Sequence, residues 1–296
     1  MVITSHVSRI TCSRITCSRI TFSRITFHSP LSILMPELPE VETQLQYFRR
    51  TALGQCVERV IITAPNIIRT PTARAFANGL RGRSFVDAHR RGKYLIVSLD
   101  DGRWLILHFG MGGDLGHYKG PRERPEYTRI EFILTSGWRL AFTCPRKICR
   151  VMLVDDPSHV PALRDMGPEP LGGNFTLGFL ERLIEERPRR RIKPLLMDQR
   201  MIAGVGNIYA DEILFEARVR PDRSVSSLSG DETRRIHRET RRILRRAIRT
   251  ASEPEFPSDF LVSRDARGAM CKVCGHAIEK KTIGGRTAHF CSVCQV

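Results

Sequence analysis

Four cysteines near the C-terminus have the spacing of a metal site. Cys271, Cys274, Cys291 and Cys294 read C-x2-C-x16-C-x2-C. Two such pairs let four thiolates close a tetrahedral zinc site, and the ion then folds a segment too short for its own core. One structural zinc ion is therefore expected. A zinc ribbon is a scaffold, however, and names no reaction. His276 and His289 are read as surface residues beside it. Arg286 lies between the pairs, where a hairpin tip would project it, to meet either a phosphate or only solvent. A second stretch, GVGNIYADE at 204–212, places Gly204 and Gly206 in a tight turn ahead of Asn207. An amide there could meet a phosphate at a helix N-terminus. Alone, it reads better as an ordinary helix–helix connection. A third stretch, MPELPEVET at 35–43, has the form of a chain start inside the chain: a Met, then a small Pro that invites Met removal.

These groups need elements to hold them. After Pro36, Pro39 suits a first helical turn, and Glu40 and Glu42 in that turn favour the helix dipole. Val41, Leu45 and Phe48 fall on one face. From Val57 to about Val154 the signal is mostly strand. KYLIVSL, RWLILHF, TRIEFIL and WRLAFT are short and apolar, split by turns such as DDG and TSG, which predicts a β-sandwich or barrel. DMGPEPLGGN, 165–174, reads as a linker. Beyond it FTLGFLERLIEE, IKPLLMDQRMIAGVGNIYADEILFEA and DETRRIHRETRRILRRAIRT read as helical. In the last, Ile236, Thr240, Ile243, Leu244 and Ala247 form a stripe and arginines cover the rest.

The chain has 296 residues and a net charge of +17. That length fits one large domain or two to three smaller ones. No apolar run reaches the roughly 20 residues needed to cross a bilayer. The charge argues for an acidic partner, most commonly nucleic acid. Of the nine cysteines, most are scattered, and no secretory h-region with a small-residue cleavage site is read in the sequence. This suggests a reducing compartment in which the last four thiols serve a metal. Residues 8–27 repeat SRITC or SRITF, and no acid precedes Glu37. An Arg- and Ser-rich organelle transit peptide is one reading. The favoured one is a repeat upstream of the true start, with synthesis beginning at Met35.

MPELPEVET, GKYLI, HFGM, MGPEPL, MDxxxxxGVGNIYADE and the terminal Cys pairs ending in CQ, taken together, resemble formamidopyrimidine-DNA glycosylase, in the family that also contains endonuclease VIII. The resemblance covers 35–296. It implies an α+β chain: an N-terminal β-sandwich with flanking helices, a helix–two-turn–helix module and a C-terminal zinc finger. The implied division is an extension at 1–34, a catalytic sandwich at 35–164, the linker at 165–174, the helical module at 175–262 and the finger at 263–296. It further implies a bacterial-type DNA repair enzyme of the cytoplasm or nucleoid, acting as a monomer on duplex DNA with damaged bases or abasic sites. Such an enzyme removes an oxidised base and then cuts the strand by β,δ-elimination.

The resemblance assigns the nucleophile to Pro36. A chain-terminal proline is a secondary amine that can attack a sugar C1′ and give an iminium, whereas an internal proline is an amide without that reactivity. Glu37 is then the general acid/base, Lys93 a catalytic-site lysine and Glu40 a residue that orders the site. Lys193, Asn207 and Arg286 match phosphate contacts around the lesion, and His108 sits at the matching strand end. Met111 and Arg146 match wedge residues that fill the gap left by a flipped base. Without the resemblance, Lys93 reads as a surface lysine and Met111 as core. The alternative function is a non-catalytic relative that binds damaged DNA. A zinc-ribbon module of ribosome or transcription machinery would not explain PELPEVE.

Two departures from the family stand out. Its wedge loop reads DPRRFG, and this chain has CPRKIC at 144–149. Ile148 replaces an aromatic whose stacking is worth about 1–3 kcal/mol, and Cys144 replaces a loop-holding carboxylate. The stretch VSRDARGAM before Cys271 is shorter than the loop that covers a flipped 8-oxoguanine. Preference among formamidopyrimidines, 8-oxoguanine and other oxidised bases is thereby left open.

Overall fold

In the computed structural model, residues 35–251, 256–261 and 269–296 are described. The pentapeptide repeat within 1–34, and 262–268 of the VSRDARGAM stretch, lie outside them. Helix α1 (Leu38–Thr51) opens with Pro39 and Glu40 in its first turn and ends on Arg49 and Arg50, each charge placed to suit the helix dipole. Val41, Leu45 and Phe48 are buried on one face, as the spacing predicts.

Two sheets follow. β1 (Val57–Ile62), β6 (Asp114–Tyr118), β7 (Thr128–Leu134) and β8 (Arg139–Thr143) form a four-stranded antiparallel sheet in the order β1-β7-β8-β6. The second sheet has β2 (Ile68–Thr70), β3 (Phe85–Arg91), β4 (Tyr94–Leu99), β5 (Trp104–His108) and β9 (Arg150–Val154), ordered β2-β9-β5-β4-β3. The four strands read from the sequence are β4, β5, β7 and β8. The longest element there that is not a strand is an α-helix. ARAFANGL folds as α2 (Ala73–Leu80), because Thr72 caps it through the Ala75 N–H and Phe76 and Leu80 enter the core. Inner faces of both sheets, α1 and α2 share one apolar core, with Phe48, Phe85 and Phe132 in edge-to-face contact.

After the short α3 (Pro161–Arg164), residues 165–176 form no helix or strand. This linker is held firmly. Glu169 pairs with Arg90 at 2.7 Å and Arg91 at 3.2 Å and accepts the Gly92 N–H at 2.6 Å. The helical module has α4 (Leu177–Glu186), α5 (Ile192–Met197), α6 (Asn207–Glu216) and α7 (Gly230–Thr250). The IKPLLM…LFEA segment is thus two helices, broken by the turn that contains Gly204 and Gly206. On α7 the stripe Ile236, Thr240, Ile243, Leu244 and Ala247 is buried, as expected. Leu38, from the start of α1, packs in this second core rather than the first. Strands β10 (Glu279–Ile283) and β11 (Arg286–Phe290) make an antiparallel hairpin between the two cysteine pairs. Among the described residues no helix is long and apolar enough to cross a membrane.

Candidate active site

The site forms where α1, the β3–β4 turn and the N-terminus of α6 meet. Glu37 precedes α1, but its carboxylate caps a different helix. It accepts the N–H groups of Gly206 at 2.7 Å, Ile208 at 3.0 Å and Tyr209 at 3.4 Å. These are the orphan donors of α6, where the helix dipole also favours negative charge. The Leu38 N–H donates to Gly204 O at 3.0 Å and fixes the same junction from the backbone. Glu40 reaches back to accept the Glu37 N–H at 2.8 Å and takes the Tyr209 hydroxyl on its other oxygen. Pro36 is half-buried beside this cluster.

Lys93, on the turn gripped by Glu169, converges on the same point. A Cβ built on Gly206 would lie 2.3 Å from the Glu37 carboxyl and 2.4 Å from Lys93 Nζ. Only glycine lets both groups approach the turn this closely. Both are buried, and Lys93 is 9% exposed rather than a surface lysine. Burial pushes the Glu37 carboxyl up from its ordinary range, opposed by the Lys93 charge and the three N–H groups. Burial pushes Lys93 down, opposed by Glu37 and Glu40. Glu40 is pushed up to about 7, chiefly by burial and against the Tyr209 hydrogen bond. The outcome is a set of carboxyls and an amine whose proton affinities lie closer together than in water, which is what acid–base work near neutrality requires.

The other expected site residues sit on several elements. Asn207 begins α6, and its buried Oδ1 has no hydrogen-bond partner among the described residues. Arg286 begins β11 exposed, and its charge is felt at Lys93. His108 ends β5, its ring tilted against Tyr94 with centroids 4.7 Å apart, and its pKa is pushed down to about 4 by burial and by the Arg150 and Lys93 charges. The ring is therefore a neutral imidazole near pH 7. Met111 and Arg146 come together, an Arg146 N–H lying 3.4 Å from Met111 Sδ, with Ile148 exposed alongside.

Lys193 departs from its expected phosphate contact. Its side chain is fully buried; Nζ lies 2.8 Å from Asp211 Oδ1 and donates to Thr287 O at 2.8 Å. Asp211 in turn accepts the His289 N–H at 3.0 Å. This buried cation holds the finger hairpin onto α5 and α6 through Thr287, the neighbour of Arg286, and it still feels the Glu37 charge. Asp211 and Tyr209, both within NIYADE, were missed because an amphipathic reading of α6 cannot show which neighbour each side faces. The cysteine reading also needs correction. Cys144 and Cys149 are joined as a disulfide, Cα–Cα 6.2 Å, so partners are not confined to the last four thiols.

Those four sulfurs lie within 4.8 Å of one another. Cys271–Cys294 at 3.8 Å and Cys274–Cys291 at 3.5 Å are close to the edge of a tetrahedron with metal–sulfur bonds of about 2.3 Å. The four residues fit zinc, and their donor set is closed, as a structural rather than catalytic ion demands.

Three family models match consecutive parts of the chain: the formamidopyrimidine-DNA glycosylase N-terminal domain over 35–151, its H2TH domain over 166–255, and a zinc finger found in FPG and IleRS over 270–296. The chain belongs to the formamidopyrimidine-DNA glycosylase family. A relative from Pelotomaculum thermopropionicum is 35% identical, covering 88% of this chain and 99% of its own, and one from Thermus thermophilus is 38% identical, covering 88% and 98%. Both are formamidopyrimidine-DNA glycosylases. Among solved structures, the Thermus thermophilus MutM (Fpg) protein superposes with a TM-score of 0.74 at 36% identity, covering 88% of this chain and 98% of that one. Lactococcus lactis formamidopyrimidine-DNA glycosylase, bound non-covalently to DNA with an abasic site, superposes at 0.80 with 29% identity, covering 88% and 99%. Like these glycosylases, the chain is a DNA repair enzyme of a glycosylase/abasic-site lyase family, with a β-rich domain, a helical module and a zinc finger.

Proposed function

We propose that this glycosylase excises oxidised bases, formamidopyrimidines among them, from duplex DNA through a Schiff base on Pro36, and then cuts the strand by β,δ-elimination. One observation carries the reading: Glu37, the residue that follows Pro36 in the chain, and Lys93 converge on the Gly206 turn. As a free secondary amine, the Pro36 nitrogen attacks C1′ and the C1′–base bond breaks. The electron pair leaves with the base, which takes up the proton released by the amine, and Glu37, its carboxyl pushed up by burial, supplies a proton to the opening sugar. The iminium then acts as the electron sink for loss of the flanking phosphates. Lys93 moves protons beside Glu37 and presents positive charge to a phosphate. Asn207 and Arg286 bracket the extruded nucleotide, while Met111 and Arg146 occupy the gap it leaves.

This chemistry needs a chain that begins at Pro36, and the family model matches from residue 35. The active species is therefore one in which Met35 and everything before it are absent, acting as a monomer on DNA. The test expresses the chain from Met35 and mixes it with duplexes carrying 8-oxoguanine, a formamidopyrimidine or an abasic site in the presence of borohydride. A covalent protein–DNA adduct, lost when the native extension blocks Pro36, is the expected result. The lesion trapped fastest then reads out the preference. Absence of any adduct from folded, zinc-loaded, DNA-binding protein would mean a recogniser without the chemistry.

A further inference from the structure

The loop CPRKIC and the HFGM turn meet at the disulfide. Cys149 Sγ lies 2.9 Å from Phe109 O, the carbonyl two residues before Met111. A Cβ on Gly110 would fall 2.8 Å from Ile148 O, and one on Gly113 would fall 2.9 Å from Cys149 Sγ. The turn bearing Met111 and the loop bearing Arg146 and Ile148 are thus packed backbone to backbone, with Cys149 at the contact. The start of the loop has other anchors. Arg129 donates to Cys144 O at 2.9 Å and to Pro145 O at 3.3 Å, and the Cys144 N–H donates to Tyr127 O at 3.0 Å. Its end has the disulfide and the Cys149 N–H contact to Cys144 Sγ at 3.3 Å. Between them Lys147 takes a left-handed φ of 54°, a conformation that a lysine keeps only when its surroundings hold it there.

We propose that the Cys144–Cys149 disulfide is a redox-set positioning element for the wedge. Closed, it presents Arg146 and Ile148 against Met111 in the geometry that fills a vacated base position. Opened, it frees Lys147 and Ile148 to sample other conformations, while Arg129 still holds Cys144 and Pro145. Closure removes two protons and two electrons from the thiols through exchange with a low-molecular-weight disulfide, which is cleaved to two thiols. Opening is the same exchange with a dithiol, which becomes a disulfide. Both states have partners ready: Phe109 O accepts a Cys149 S–H, and Cys144 Sγ already faces the Cys149 N–H. This inference rests on the proposed lesion binding but needs no catalysis.

The test uses the full chain, whether or not Pro36 is free. Oxidised protein and protein reduced with a phosphine, both shown to retain zinc, are titrated with a duplex carrying a tetrahydrofuran abasic analogue opposite cytosine or adenine, and with undamaged duplex. Differential alkylation counts thiols. Reduction should expose Cys144 and Cys149 to two further alkyl groups. It should weaken analogue binding by about three- to tenfold, part of the several-tens-fold ceiling that the full entropy of closing so short a loop would set. It should also narrow the difference between the two opposite bases, while undamaged duplex binds equally in both states. Cys144→Ser should behave as the reduced protein in either buffer. Analogue binding that is lesion-specific but indifferent to redox state overturns the inference and leaves the proposed function standing. Cys144 and Cys149 alkylated in protein treated with the small disulfide also overturn it. Loss of lesion specificity in both states overturns the proposed function with it.

Discussion

Gly206 donates its N–H to Glu37 Oε2 at 2.7 Å across a sequence separation of 169 residues. A carboxylate next in sequence to the expected nucleophile is thereby tied to the N-terminus of α6, within the helical module. Replacing Gly206 with Ala puts a methyl where the Glu37 carboxyl and Lys93 Nζ already are. Gly206→Ala is expected to lower base excision by about 10²-fold, the scale of an ångström-sized misplacement of reacting groups. Single-turnover excision on a formamidopyrimidine duplex measures it, and a rate equal to the parent's would remove Gly206 from the argument.

Glu37→Gln keeps the shape of the side chain and loses its proton chemistry. Excision of a damaged base should fall by about 10²- to 10⁴-fold. Cleavage at a pre-formed abasic site should fall less, because no base has to leave. Parallel time courses on the two substrates, with the chain beginning at Pro36, separate a general acid from a mere helix cap.

Lys193 gives a prediction opposite to the one its sequence position suggests. Lys193→Met strands the buried Asp211 carboxylate and should destabilise the folded protein by about 3–5 kcal/mol. Among variants that remain folded, the slope of log affinity against log salt should stay that of the parent. Arg286→Ala should lower that slope by about 0.9, one phosphate's worth. A drop of the same size with Lys193→Met would restore it as a phosphate contact.

His108 supplies a pH signature. Its folded pKa is lowered to about 4 from an ordinary 6.5, so between those values the unfolded chain binds the extra proton. Stability from this group is therefore full above pH 6.5 and is lost as pH falls towards 4, at most about 1.4 kcal/mol per pH unit. His108→Gln should flatten denaturant-derived stability across that window. An unchanged slope would mean that the ring titrates normally.

Cys274→Ser opens the tetrahedral donor set. The hairpin should lose its zinc and its dock on α5 and α6, and DNA binding should fall with it. Metal content and duplex affinity of the purified variant check this, and full-strength binding without metal would refute a structural ion.

Much of this was legible from short-range pattern. The strands β4, β5, β7 and β8, the α7 stripe and the cysteine spacing follow from periods and ligand chemistry that act within one element. What escaped were pairings across elements. Nothing local in IKPLLM says that Lys193 faces Asp211 and the finger's Thr287 carbonyl rather than a phosphate. Nothing in CPRKIC says that its two cysteines close on each other, because a six-residue loop can point its ends either way. The site itself was nameable only because several motifs occur together in order. Its geometry, a carboxylate from one module capping a helix of another, is a property of the assembled chain.

Leu38 is buried in the helical core, whereas Val41, Leu45 and Phe48 of the same helix are buried in the sandwich core. The first turn of α1 is thus a shared pivot, belonging wholly to neither half. If the helical module rocks against the sandwich as DNA enters, the motion passes through the residues next to Pro36. Closing the cleft and aiming the amine are then one movement, and a lesion that blocks full closure would also leave the nucleophile misaimed.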